Sequence, residues 1–137
     1  MTMTTYHGSC ACGRVRFDAT FDLAAGTEKC NCTKCWKRRN WTVRVRPEAF
    51  HLVAGGDDLI QPSSFADHSA PSGFCRGCGT TVFHRVAAAE WNDGAYVSVV
   101  VAALDDLAPA DLIAAPVRYF DGRNDNWWAT PAETRHL

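Results

Sequence analysis

Phe74-Cys75-Arg76-Gly77-Cys78-Gly79-Thr80 is the stretch that decides how this chain folds. A thiolate needs a partner charge, and a zinc ion takes about four soft ligands in a tetrahedron. Two cysteines separated by two residues can reach one ion through a tight turn. Gly77 and Gly79 offer the positive φ angles and close backbone approach that such a turn uses. Backbone N–H groups can then point at the sulfurs. The stretch has the form of a zinc knuckle, and one knuckle supplies only two ligands. Cys10-Ala11-Cys12-Gly13 is a second chelating pair, again followed by glycine. Together Cys10, Cys12, Cys75 and Cys78 complete a four-thiolate structural site. Loss of that ion should loosen or unfold the domain. The plainer reading is four unrelated buried thiols.

A third cluster lies between these pairs: Cys30, Cys32 and Cys35 in Cys30-Asn31-Cys32-Thr33-Lys34-Cys35-Trp36-Lys37. Three protein ligands leave a tetrahedral ion one open position, the arrangement of a catalytic zinc. The open position can take water or a small-molecule thiol. Two other readings stand beside it: a closed site completed by a fourth ligand such as a histidine, and a redox pair that forms a disulfide. Lys34, Lys37, Arg38 and Arg39 crowd the same stretch. They are either a solvated basic face or a means of attracting an anionic substrate. Trp36 directly follows Cys35 and could wall the second ion.

The whole chain has 137 residues and seven cysteines, with 14 basic against 15 acidic residues. That length predicts one domain over 1–137. An odd cysteine count is a poor disulfide framework, so metal or redox chemistry is the better class. Two divalent ions do not offset seven thiolates, so metal loading would leave the Lys34–Arg39 segment as the outstanding positive patch on an acidic body. The near-balanced charge gives no general pull toward nucleic acid or an anionic membrane. The longest apolar runs, such as Tyr96–Leu104, fall far short of the roughly 20 residues that span a bilayer. Residues 1–7 carry no basic region and no apolar stretch, so the expected compartment is the cytoplasm.

The segments between clusters predict short antiparallel strands with little helix. Val15, Phe17, Ala19 and Phe21 alternate with polar neighbours over Arg14–Asp22, the period of a half-buried strand. Trp41–Arg46 alternates likewise and stops at Pro47, where Pro47–Phe50 can make one helical turn. His51–Val53 and Thr80–Val86 are further strands. Ala95–Ala103 reads as a strand buried on both faces, and the Tyr96–Leu104 run could pair between subunits in a homodimer. Asp105–Ala115 has room for one short helix. Gly55–Gly73 and Asp121–Asn126 read as loops. Tyr119, Phe120, Trp127 and Trp128 are expected to pack the tail against the sheet.

The order C-x-C, C-x-C-x-x-C, F-C-x-x-C-G resembles the glutathione-dependent formaldehyde-activating enzyme family, also called the CENP-V/GFA domain. Cys32-Thr33-Lys34-Cys35-Trp36-Lys37 is similar to the string of the formaldehyde-activating enzymes themselves. Gly8–Gly13 and Phe74–Thr80 resemble the family's first and last motifs, and the motif-bearing part runs over about 8–101. The resemblance implies a mainly β, Mss4-like fold and two zinc ions per chain. Cys10, Cys12, Cys75 and Cys78 would hold the structural ion; Cys30, Cys32 and Cys35 would hold the catalytic one. It implies addition of glutathione to formaldehyde, giving S-hydroxymethylglutathione, a carbon–sulfur lyase type of reaction. Lys34, Trp36, Lys37 and Arg38 would then meet the thiol substrate, and His51, His68 and His84 are candidate proton donors. The competing class is a zinc-stabilised binding module for protein or nucleic acid. A sulfoxide reductase of related fold needs a later cysteine, and none follows Cys78.

Overall fold

The computed structural model describes residues 2–62 and 67–137. The strands are β1 (Thr4–Ser9), β2 (Arg16–Phe21), β3 (Thr27–Cys30), β4 (Thr42–Val45), β5 (Phe50–Ala54), β6 (Leu59–Ile60), β7 (Gly73–Cys75), β8 (Thr81–Val86), β9 (Tyr96–Val100) and β10 (Val117–Phe120). Two short helices, α1 (Thr33–Arg38) and α2 (Pro109–Ala114), join them. Strands β1, β2 and β5 form a small sheet in that order. The large sheet runs β10-β3-β4-β9-β8-β7-β6. The fold is mainly β, and every strand pair is antiparallel except β10 with β3.

One face of each sheet supplies the core. In β2 the alternation holds: Phe17, Ala19 and Phe21 are buried, as is Val15 just before it. Val43 and Val45 of β4 and Phe83 of β8 face the same interior, while Val82, next along β8, is buried on the other face. Phe17 and Phe50 of the small sheet stack at 5.4 Å between ring centres, and both meet Phe83 of the large sheet, at 5.5 and 4.5 Å. That aromatic trio joins the two layers.

Strand β9 differs from expectation. It ends at Val100, and Val101–Ala103 forms a 3-10 turn. Only Val97 and Val99 are buried, while Tyr96, Ser98 and Val100 are half-buried. Its two edges are taken by β4 and β8, so it has no free edge with which to pair between subunits. Sequence periodicity overlooked β1, β3, α1 and β10. The expected loop 55–73 contains β6, which pairs with β7; its residues 63–66 lie outside the described ones.

Strand β3 shows why it was missed. Its sequence is Thr-Glu-Lys-Cys, with no apolar face. Glu28 is instead held by two arginines from the flanking strands, Arg44 at 2.7 Å and Arg118 at 2.8 Å, with its side chain only 11% exposed. Cross-strand ion pairs here take the place of cross-strand apolar contacts.

Gly8 of β1 lies opposite Phe17, whose ring covers the glycine so closely that a methyl would overlap it. Gly8→Ala should therefore displace the ring at the sheet junction and cost about 1–3 kcal/mol, read as a lower urea midpoint at unchanged slope. His84 of β8 is 3% exposed, and burial, then the nearby Arg38 charge, lowers its pKa to about 4. An unfolded histidine binds its proton near pH 6.5, so between pH 6.5 and 4 the unfolded chain holds the extra proton. This contribution leaves stability intact above pH 6.5 and erodes it by about 3 kcal/mol as the pH falls to 4. Denaturation of wild type and His84→Gln at pH 7 and pH 5 should show a smaller acid loss in the variant.

Candidate functional site

The two outer cysteine pairs sit on turns built alike. Cys10-Ala11-Cys12-Gly13 enters β2, with Cys10 N–H bonding Val15 O at 3.1 Å and Gly13 N–H bonding Cys10 O at 3.0 Å. Cys75-Arg76-Gly77-Cys78-Gly79 joins β7 to β8, with Cys75 N–H on Thr80 O at 2.9 Å and Gly79 N–H on Cys75 O at 2.7 Å. Gly13 and Gly79 hold φ of +79° and +77°, the left-handed turn that closes each knuckle. Gly77 is outside that region; its lack of a side chain instead admits the Arg14 guanidinium.

These turns bring Cys10, Cys12, Cys75 and Cys78 together, with all four Sγ atoms within 4.8 Å of one another. Cys10–Cys12 and Cys12–Cys75 sulfur separations are 3.6 and 3.7 Å. A tetrahedron with bonds of about 2.3 Å has edges of about 3.8 Å, whereas a disulfide needs about 2.05 Å. None of the seven cysteines is in a disulfide. Val15 N–H points at Cys10 Sγ (3.3 Å) and Gly77 N–H at Cys75 Sγ (3.4 Å). Thr80 bonds Cys78 Sγ at 3.2 Å and lowers its pKa to about 5. The donor set fits a thiophilic ion, and the two innermost ligands, Cys10 and Cys75, are buried.

The middle cysteines gather at the end of β3 and the start of α1. Cys30 closes β3, Cys32 caps α1 and Cys35 lies within it. Their three Sγ atoms also lie within 4.8 Å of one another, and among the described residues no His, Asp or Glu completes the group. Cys32 N–H points at Cys30 Sγ (3.4 Å), Cys35 N–H at Cys32 Sγ (3.5 Å) and Asn40 Nδ2 at Cys35 Sγ (3.8 Å). Cys30 is drawn down to about 6, first by its hydrogen bond with Cys35 and then by the N–H groups of Cys32 and Gly122. Cys35 is pushed up by the same pairing with Cys30 and by burial. These donors favour negative charge on the cluster.

The tail completes this second site, which no local pattern announced. Because β10 runs parallel to β3 with Phe120 opposite Cys30, the chain leaves β10 beside the cluster. Asn31, buried between two of the cysteines, donates to Asp121 Oδ1 at 2.8 Å and accepts from Arg123 N–H at 2.9 Å. Asn124 holds both oxygens of Asp121 at 3.0 Å. The turn so fixed places Gly122 against Cys30 Sγ and the Trp127 ring. Tyr119 and Phe120 are half-buried in β10, but Trp128 is 86% exposed, contrary to expectation.

A pocket of about 130 Å³ opens beside the cluster, lined by Cys30, Cys35, Lys29, Trp36, Arg39, Asn40, Trp41 and Leu137. Trp36 is thus where its position after Cys35 suggested. Lys34 and Lys37 are exposed on α1, and neither they nor Arg38 lines the pocket. Sequence reasoning passed over Lys29, Asn40 and Trp41. His51 and His68 are exposed and His84 is buried; none of the three lines the pocket.

Residues 5–120 match the family described as glutathione-dependent formaldehyde-activating enzyme. The chain belongs to this family. The family match continues past Val101 through β10, so the strand that carries the tail to the second cluster lies within it. A crystal structure of a Rhodobacter sphaeroides protein has a similar fold, with a TM-score of 0.63 at 28% identity. The match covers 82% of this chain and 99% of that one. No helix among the described residues is long and apolar enough to cross a membrane.

A methyl at Gly122 would come within 2.9 Å of Cys30 Sγ and overlap the Trp127 ring. Gly122→Ala should weaken metal retention by the three-cysteine cluster about tenfold or more and leave the four-cysteine cluster unaffected. Metal release to a chromogenic chelator, read as two separate phases, checks this.

Proposed function

We propose that this chain is a zinc-dependent enzyme that joins a small thiol to formaldehyde, as glutathione does in forming S-hydroxymethylglutathione, a carbon–sulfur lyase type of activity. In this reading Cys10, Cys12, Cys75 and Cys78 hold a structural zinc, and Cys30, Cys32 and Cys35 hold a catalytic one. The observation that carries it is the second cluster: three converging sulfurs, no fourth ligand among the described residues, and a pocket lined by two of those sulfurs. Family membership supports the substrate pair.

A zinc ion at this site supplies a Lewis acid that keeps a bound thiol ionised near neutral pH. The chain does the rest. Gly122 and Cys32 N–H groups and the Asn40 amide stabilise the negative sulfurs. Trp36 and Trp41 wall the pocket and limit water around the reacting sulfur. Lys34 and Lys37 on the exposed side of α1 raise the local concentration of an anionic thiol. The thiolate sulfur attacks the formaldehyde carbon, a C–S bond forms, and the carbonyl π pair moves to oxygen. That oxygen then takes up a proton, which no histidine among the described residues lines the pocket to give.

The test combines metal content with exchange spectroscopy on the hydroxymethyl adduct. Wild type is expected to carry two zinc ions and to exceed the spontaneous rate with glutathione. Cys32→Ser should keep the structural ion and lose turnover on the order of a hundredfold or more, while Cys10→Ser should destabilise the whole chain. Full activity and two ions in Cys32→Ser would falsify the catalytic assignment. Absence of turnover by metal-replete wild type with any thiol would favour the binding-module reading.

A further inference from the structure

We propose that residues 133–137 form a strap across the pocket beside the three-cysteine cluster, and that this strap must swing aside before a bulky molecule reaches Cys30 and Cys35. The inference concerns access to the cluster. It goes beyond the reading above, because it holds whatever chemistry the cysteines perform.

The strap bridges the two elements that carry the cysteines. Lys29, on β3 directly before Cys30, donates from Nζ to Leu137 O at 2.9 Å. Arg39, directly after the helix that carries Cys35, donates to His136 O at 2.7 Å. The His136 ring sits on that of Trp36, with 5.1 Å between centres. Leu137 itself lines the pocket with Cys30 and Cys35. Among the described residues, the hydrogen bonds and ring contacts that 133–137 make outside their own segment all go to Lys29, Arg39 and Trp36. Each of these three lines the pocket.

The segment is tied locally, so it can move as a unit. Glu133 accepts from the N–H groups of Thr134 at 3.0 Å and Arg135 at 3.1 Å, and pairs with the Arg135 guanidinium at 2.6 Å. Leu137 N–H closes the turn on Thr134 O at 3.0 Å. Pro131 is buried just before the strap, whereas Glu133, Arg135 and His136 are exposed. A short turn with so little burial opens far more readily than the sheet beneath it. The covered pocket measures about 130 Å³, below the roughly 300–1,000 Å³ of most small-molecule sites. A bulky ligand therefore needs the open form, and its apparent affinity scales with the fraction of chains that are open.

The experiment is alkylation of the full-length zinc-loaded chain by iodoacetamide and by a neutral, pyrene-bearing iodoacetamide. Modification is mapped to each cysteine by peptide mass. Glu133→Ala with His136→Gly should speed the bulky reagent at Cys30 and Cys35 about tenfold. Iodoacetamide should gain less than about twofold, because it already fits the covered pocket. Cys10, Cys12, Cys75 and Cys78 should react as before. Glu133 contacts no pocket residue, so Glu133→Ala alone should give part of the gain by loosening the turn. In wild type the His136 ring protons should resonate away from solvent values, shifted by the Trp36 ring. Unshifted His136 signals in wild type overturn the strap, and that observation needs no variant. An unchanged bulky rate in the double variant also overturns it. So does equal acceleration of both reagents, which marks a loosened cluster rather than a removed cover. None of these readings uses turnover, so an inactive chain with size-dependent access keeps the strap and loses the enzymatic reading. An active chain without such access does the reverse.

Discussion

Four sulfur atoms from two turns whose facing cysteines are 63 positions apart must converge within 4.8 Å. That demand organises the rest of the chain. One turn feeds β2 of the small sheet, and the other links β7 to β8 of the large one. Bringing the turns together sets the two sheets against each other, and Phe17, Phe50 and Phe83 fill the space between them. Four thiols this close repel when ionised and bond only weakly when protonated. The Val15 N–H aimed at Cys10 favours its ionised form, which in turn favours a cation at the centre of the group.

The second cluster obeys the same chemistry under a different geometry. Its three sulfurs come from six consecutive residues, so local backbone alone can gather them. Its surroundings are long-range: Asn31 binds Asp121, Gly122 reaches Cys30, and residues 136–137 meet Lys29 and Arg39. The first cluster is far-reaching in its cysteines and local in its support. The second is local in its cysteines and far-reaching in its support.

That contrast explains what could be read in advance. Cysteine spacing and flanking glycine are local signals, so both clusters were visible as groups of residues. The alternation in Arg14–Asp22 and Trp41–Arg46 showed β2 and β4 for the same reason. Strand β3 was hidden because its stabilising partners, Arg44 and Arg118, belong to other strands. Strand β10 is only four residues long and the turn at Asp121 is polar, and their meaning depends on lying beside Cys30. Lys29 was passed over beside the more conspicuous Lys34–Arg39 run, although α1 turns Lys34 and Lys37 outward. The apolar run around Val97–Val101 invited a reading as a doubly buried strand because periodicity cannot show where a strand ends.

Glu28 stands two places before Cys30, on the same side of the pleat. Two guanidinium groups grip it from left and right. A slip of one residue in β3 would wrench the carboxylate away from both and turn the sulfur toward the opposite side of the sheet. The ionic clamp thus works as an alignment pin: by securing an acid that does no chemistry, it fixes the direction in which a reactive neighbour points.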